Sequence, residues 1–165
     1  MENLSSRLVP VFNATNPPLS SLQNLDANPE LRPFEKIIRF WLQFPGYLPT
    51  KQDIRFSEFS GWHDRMIISN LLPDGDLEFR LVGETADKIL GGLIKPGGTF
   101  SALPNMAFPS FRSYFSSIHA GETFGFTSGK LPLQGREFVT FTALDLAASD
   151  KHGRIAYLNS FLLTH

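Results

Sequence analysis

The run Phe138-Val139-Thr140-Phe141-Thr142-Ala143-Leu144-Asp145-Leu146 is followed by Ser149-Asp150-Lys151-His152-Gly153 and then by Ile155-Ala156-Tyr157-Leu158-Asn159-Ser160-Phe161-Leu162-Leu163. This stretch decides the fold class. Successive side chains of a strand point to opposite faces. Phe138, Thr140, Thr142, Leu144 and Leu146 therefore share one face, and Val139, Phe141 and Ala143 the other. The polar segment between the runs carries turn chemistry, so the two strands read as an antiparallel hairpin. Asp145 interrupts an apolar run.

A second hairpin lies upstream. Met66 to Leu72 is apolar and β-branched, Pro73-Asp74-Gly75-Asp76 supplies a turn, and Leu77, Phe79 and Leu81 alternate with Glu78 and Arg80. Thr123 to Thr127 adds a short strand. Between the hairpins, Glu84 to Leu90 fits a short helix stopped by Gly91-Gly92. A looser stretch with Pro96-Gly97-Gly98 leads to a helix bearing the stripe Phe108, Phe111, Tyr114, Phe115 and Ile118, closed by Gly121. Ahead of the first hairpin, Phe34, Ile37, Ile38, Trp41 and Phe44 recur at helical spacing, with Pro45-Gly46 as the stop.

The order predicts an α+β domain: a five-stranded antiparallel sheet, a helical middle from Glu84 to Ala120 across one face, and a preceding N-terminal helix. Residues 1–32, rich in Pro, Asn and Ser, read as a poorly structured arm. Residues 33–165 read as the single domain. The stripe through Phe34, Ile37, Ile38 and Trp41 has two readings, packing on its own domain or forming part of a homodimer interface.

Composition narrows the function classes. Fifteen Lys+Arg against sixteen Asp+Glu give a net charge of −1, with 19% charged residues, so no cationic excess serves a nucleic-acid backbone. The absence of cysteine removes disulfides, thiolate nucleophiles and Cys-ligated metals. No apolar stretch is long enough to span a membrane, and the first residues lack the pattern of a signal peptide, so a cytoplasmic protein is expected.

Leu48-Pro49 with Asp53-Ile54, Ile67-Ile68, and Phe79-Arg80-Leu81-Val82-Gly83-Glu84-Thr85 with Gly91-Gly92 resemble the bacterial PAS-like single-domain family. The resemblance continues through Ile118-His119-Ala120-Gly121 and the turn Asp150-Lys151-His152-Gly153-Arg154. It covers about Pro33 to Leu163. Asp145-Leu146 departs from the Pro-Leu expected before the last turn. The resemblance implies a cupped five-stranded sheet in a sensory or regulatory domain, often dimeric, and carries over no catalytic residues.

His63, His119, His152 and His165 show no metal-binding spacing, so no metal site is expected. His119 ends the second long helix, where, by the resemblance, a haem-binding PAS domain presents its axial ligand; otherwise it is a cation at the negative end of a helix dipole. Trp62-His63-Asp64-Arg65 reads as a surface loop, and the paired glycines as turn residues with positive φ. Arg80 is either a solvated cross-strand partner of Glu78 or an anchor for a ligand carboxylate.

The expected ligand wall comprises Arg80, Phe111, Phe115, Phe138, Thr140, Thr142, Tyr157 and Asn159. An apolar surface with a few hydroxyl and amide groups suits a small-molecule pocket. The functional expectation is a non-enzymatic PAS-like sensory or regulatory module, possessing no resident cofactor, with a small apolar or aromatic ligand and an unknown protein partner. Two other classes stay open. One is a small isomerase or dehydratase using Asp145 as a buried base; the other is a structural dimerisation module with a filled core.

Overall fold

The computed structural model describes residues 12–103, 108–131 and 139–165. Its six strands form one antiparallel sheet: β1 (Phe12–Thr15), β2 (Met66–Leu71), β3 (Leu77–Val82), β4 (Gly125–Lys130), β5 (Thr140–Ser149) and β6 (Ile155–Thr164). The order across the sheet is β1-β4-β5-β6-β2-β3. The two hairpins read from the sequence are both present, β2 with β3 and β5 with β6, and β6 joins them by pairing with β2. The α+β class and the antiparallel sheet hold.

The strand count changes because of the arm. Residues 12–32 are not loose: β1 pairs with β4, and a 3-10 turn over Leu19–Gln23 buries Leu22. Asn16 donates its side-chain amide to the carbonyls of Tyr114 and Phe124, at 3.2 Å each, tying the arm to a helix and to the residue just before β4. Proline-rich sequence lacks a period to read, yet its apolar residues still find a surface to cover.

Three α-helices are described: α1 (Glu35–Leu42), α2 (Glu84–Ile89) and α3 (Phe108–His119). Pro33 delays α1, whose first turns over Pro29–Phe34 are 3-10. Helical segments cover both faces of the sheet. On one face α2, α3 and their connection pack over Ile67, Phe79, Phe141, Leu158 and Leu162. On the other, α1 and its flanking turns pack over Met66, Phe126, Leu144, Leu146 and Phe161. Burial on two faces explains why β5 and β6 are apolar on both sides of the pleat.

This arrangement corrects the dimer-interface assignment. Phe34, Ile37 and Trp41 are 0% exposed and Ile38 is 1% exposed within one chain. The aromatic stripe is satisfied by the chain's own sheet, with Trp41 5.8 Å from Phe161 and 5.9 Å from Phe59 between ring centroids. A dimer would have to use another surface.

A bulge corrects a second expectation. Ile68 pairs with Leu81 but Ser69 pairs with Phe79, leaving Arg80 as an extra residue. Beyond the bulge the alternation reverses. Leu77 and Phe79 face the helical middle, whereas Leu81 faces the N-terminal layer beside Met66 and Ile68.

Candidate functional site

Between the sheet and the helical middle lies a cavity of about 120 Å³. Its floor is built by alternate residues of the strands: Ser69 of β2, Phe79 of β3, Thr127 of β4, Phe141, Ala143 and Asp145 of β5, and Ser160 of β6. Its roof comes from Phe111, Tyr114 and Phe115 of α3, with Leu90, Ile94 and Phe100 from the connection. The 3.6-residue period of α3 puts Phe111, Tyr114 and Phe115 on one face. Phe100 packs against Phe111 and Phe115, each at 5.0 Å, which fixes the roof.

One end of this apolar space is polar. The phenol of Tyr114 donates to Asp145 Oδ2, and the Thr127 hydroxyl donates to Tyr114 Oη at 3.3 Å. Ser160 stands directly opposite Asp145 in the sheet, where its hydroxyl favours the ionised carboxylate. Burial raises the pKa of Asp145 above the ordinary carboxylate range, opposed by the hydroxyls of Ser160 and Tyr114. Burial, and then the negative charge of Asp145, push the Tyr114 phenol well above its usual value.

Gly125 makes that contact sterically feasible. It stands opposite Asp145 on the other side, and a Cβ there would overlap Tyr114 Oη and sit 2.5 Å from its Cζ. The missing side chain is the space through which the phenol reaches the carboxyl group.

Ser69 adds a different kind of polar group. Its side chain is fully buried, lines the cavity, and its hydroxyl has no hydrogen-bond partner. Buried hydroxyls are nearly always partnered, so an orphan facing a cavity marks a position for an incoming group.

The residues named from the sequence divide between the faces. Phe111 and Phe115 line the cavity. Tyr157 and Asn159 lie on the opposite face, in a separate space of about 160 Å³ beside Lys51, Ile54 and Met66. Thr142 belongs to that same strand face and bonds His165 at 3.2 Å, while Thr140 is exposed. Phe138 lies outside the described residues. The part of the wall expected from Thr142, Tyr157 and Asn159 thus faces the N-terminal layer, because one register step exchanges every side chain of a strand between faces. Arg80 is exposed, with Nη1 3.4 Å from Asn70 Oδ1 and its guanidinium over the Tyr157 ring at 5.8 Å.

The second space is the weaker candidate. Its buried amide, Asn159, already donates to the Leu146 carbonyl at 3.3 Å. Lys51 and Arg80 both lie over the outer Tyr157 ring, so the cations there have an aromatic partner.

His119 does not face the cavity. Its Nε2 is 3.1 Å from the Ile155 carbonyl, a contact that uses the ring nitrogen in joining α3 to β6. A space of about 120 Å³ is also far too small for a porphyrin, so the residues do not fit haem. Among the described residues no group of three or more His, Cys, Asp or Glu is gathered for a metal ion. Asp64 accepts from Thr85 at 2.6 Å, which holds its carboxyl below the usual range, and so serves to fasten α2 to the turn before β2.

Comparison with protein-family models, with curated proteins and with solved structures finds no match. Among the described residues no helix is long and apolar enough to cross a membrane.

Proposed function

We propose that the protein is a non-enzymatic PAS-like sensory or regulatory module that holds a small, largely apolar or aromatic ligand between its sheet and its helical middle. The observation that carries this reading is the cavity containing the orphan Ser69 hydroxyl. Its volume approaches the roughly 150 Å³ of an engineered apolar cavity that takes up benzene. An antiparallel sheet with a helical middle across one face supports the reading; β1 and the layer under α1 lie outside what the resemblance implies. Action would pass through a protein partner in the cytoplasm, with the helical middle as the element a ligand orders.

The test is a thermal-shift screen of small metabolites against the full chain. A ligand at a hundredfold excess over Kd stabilises the native state by about 2.7 kcal/mol, and about 2–4 °C accompanies each kcal/mol in a protein of this size. Hits of roughly 5–11 °C are expected, reduced when Ala143→Leu fills the cavity floor. A broad screen without shifts would defeat the reading and leave the structural module.

A second reading has one specific observation in its favour. Asp145 is a buried carboxyl with a raised pKa at the end of an apolar cavity, the condition under which a carboxylate acts as a base near neutral pH. The small isomerase or dehydratase reading would have Asp145 abstract a proton beside a carbonyl group. Deuterium exchange at the α-carbons of a small cyclic ketone, followed by NMR, distinguishes the two. Exchange above buffer that Asp145→Asn abolishes would establish the enzyme.

A further inference from the structure

Resting on the reading of the cavity as a small-molecule site, we propose that its ligand is a small organic cation: a protonated primary amine on an apolar body of about one aromatic ring, with the ammonium group at Asp145.

The charge inventory leads there. Among the described residues lining the cavity, Asp145 is the one carboxyl group, and no Lys, Arg or His accompanies it. Its partners are the hydroxyls of Tyr114 on α3 and Ser160 on β6, with Thr127 of β4 behind Tyr114. These hydroxyls supply no positive charge. An ionised carboxylate taken out of water without a cation carries a large desolvation penalty. A ligand ammonium compensates it, whereas a ligand carboxylate adds to the repulsion.

The walls act in the same sense. Phe79, Phe100, Phe111, Phe115 and Phe141 line the cavity with ring surface, and an aromatic face attracts cations through its quadrupole. Both the charged end and the apolar body of the space therefore favour a positive ligand.

Ser69 defines the far end. It sits on β2, separated from β5 by β6, and in register with Ala147, so two strand spacings and two residues along the strand put it roughly 12 Å from Asp145. That is too far for one ammonium group to touch both. A ring substituent that donates or accepts a hydrogen bond, such as a hydroxyl, would meet the orphan Ser69 while the amine meets Asp145.

The experiment is calorimetric titration of the full chain with three probes of one shape: phenethylamine, 2-phenylethanol and phenylacetate. Phenethylamine is expected to bind at least tenfold more tightly than 2-phenylethanol, and phenylacetate more weakly than either. Amine affinity should fall on acidification as Asp145 takes up a proton, since a neutral carboxyl offers the ammonium no charge. Asp145→Asn should lose at least tenfold for the amine and leave 2-phenylethanol within about twofold. A 4-hydroxyl on the phenethylamine should strengthen binding in the wild type and not in Ser69→Ala.

Binding of 2-phenylethanol or phenylacetate as tightly as the amine overturns the proposal while the cavity reading stands. Failure of all three probes overturns the proposal too, and the cavity reading falls only if the broad screen is also empty. The wild-type series decides the question even if Asp145→Asn does not fold.

Discussion

Trp41→Ala should lower the stability of the protein by about 3–5 kcal/mol, the range for truncating a large aromatic in a packed core. Trp41 is fully buried, packs on Phe59 and Phe161, and donates its indole N–H to the Ala147 carbonyl at 2.9 Å. The hydrogen bond runs from α1 to β5, so the substitution removes ring packing and a polar tie between layers together. Urea denaturation followed by circular dichroism measures the effect as a lower midpoint at unchanged slope. The result discriminates between two roles for the aromatic stripe. If it were an interface, the variant would be a stable monomer; as a core, it gives a destabilised fold at any protein concentration. A variant of wild-type stability that had lost an oligomeric state would refute the packing described above.

The antiparallel hairpins were legible because alternation and turn chemistry are local signals, and β2–β3 and β5–β6 both stand where Gly75 and Gly153 turn the chain with positive φ. The stripe of α3 was legible for the same reason, and Phe111 and Phe115 reached the site. What local pattern cannot decide is which face of a two-sided strand meets which layer. In β5 both Phe141 and Leu144 are buried, so hydrophobicity alone does not orient the strand. The informative residue was Asp145. A carboxylate in an apolar run must find donors, and those donors mark the polar end of the cavity. Its partners Tyr114 and Ser160 are 31 and 15 positions away, beyond the reach of any spacing rule. The arm was opaque for another reason: β1 is four residues long and owes its existence to the open edge of β4.

Stability should fall as pH rises from the ordinary carboxylate range toward neutrality, and Asp145→Asn should flatten that decline. The pKa of Asp145 is raised in the native state, chiefly by burial. Between its unfolded value, about 3.9, and the raised native value, the folded chain keeps a proton that the unfolded chain has released. Stability is then greatest below the unfolded pKa and is lost as pH climbs through the window. Every tenfold gain in native proton affinity corresponds to about 1.4 kcal/mol by the time the window has been crossed. Tyr114→Phe removes a hydrogen bond that opposed the shift, so the native pKa moves further up and the loss deepens. The expected cost is about 1–3 kcal/mol at neutral pH, that of leaving a buried acceptor short of a donor. Gly125→Ala should act in the same direction, because its Cβ occupies the space of the Tyr114 phenol. Chemical denaturation at half-unit pH steps from 4 to 8 measures all four proteins. Superimposed profiles for the wild type and Asp145→Asn would mean that Asp145 titrates alike in the folded and unfolded chains, and the electrostatic account of the cavity's polar end would fail. A decline absent from Asp145→Asn but steeper in Tyr114→Phe would identify the carboxyl as its source and the phenol as the group that restrains it.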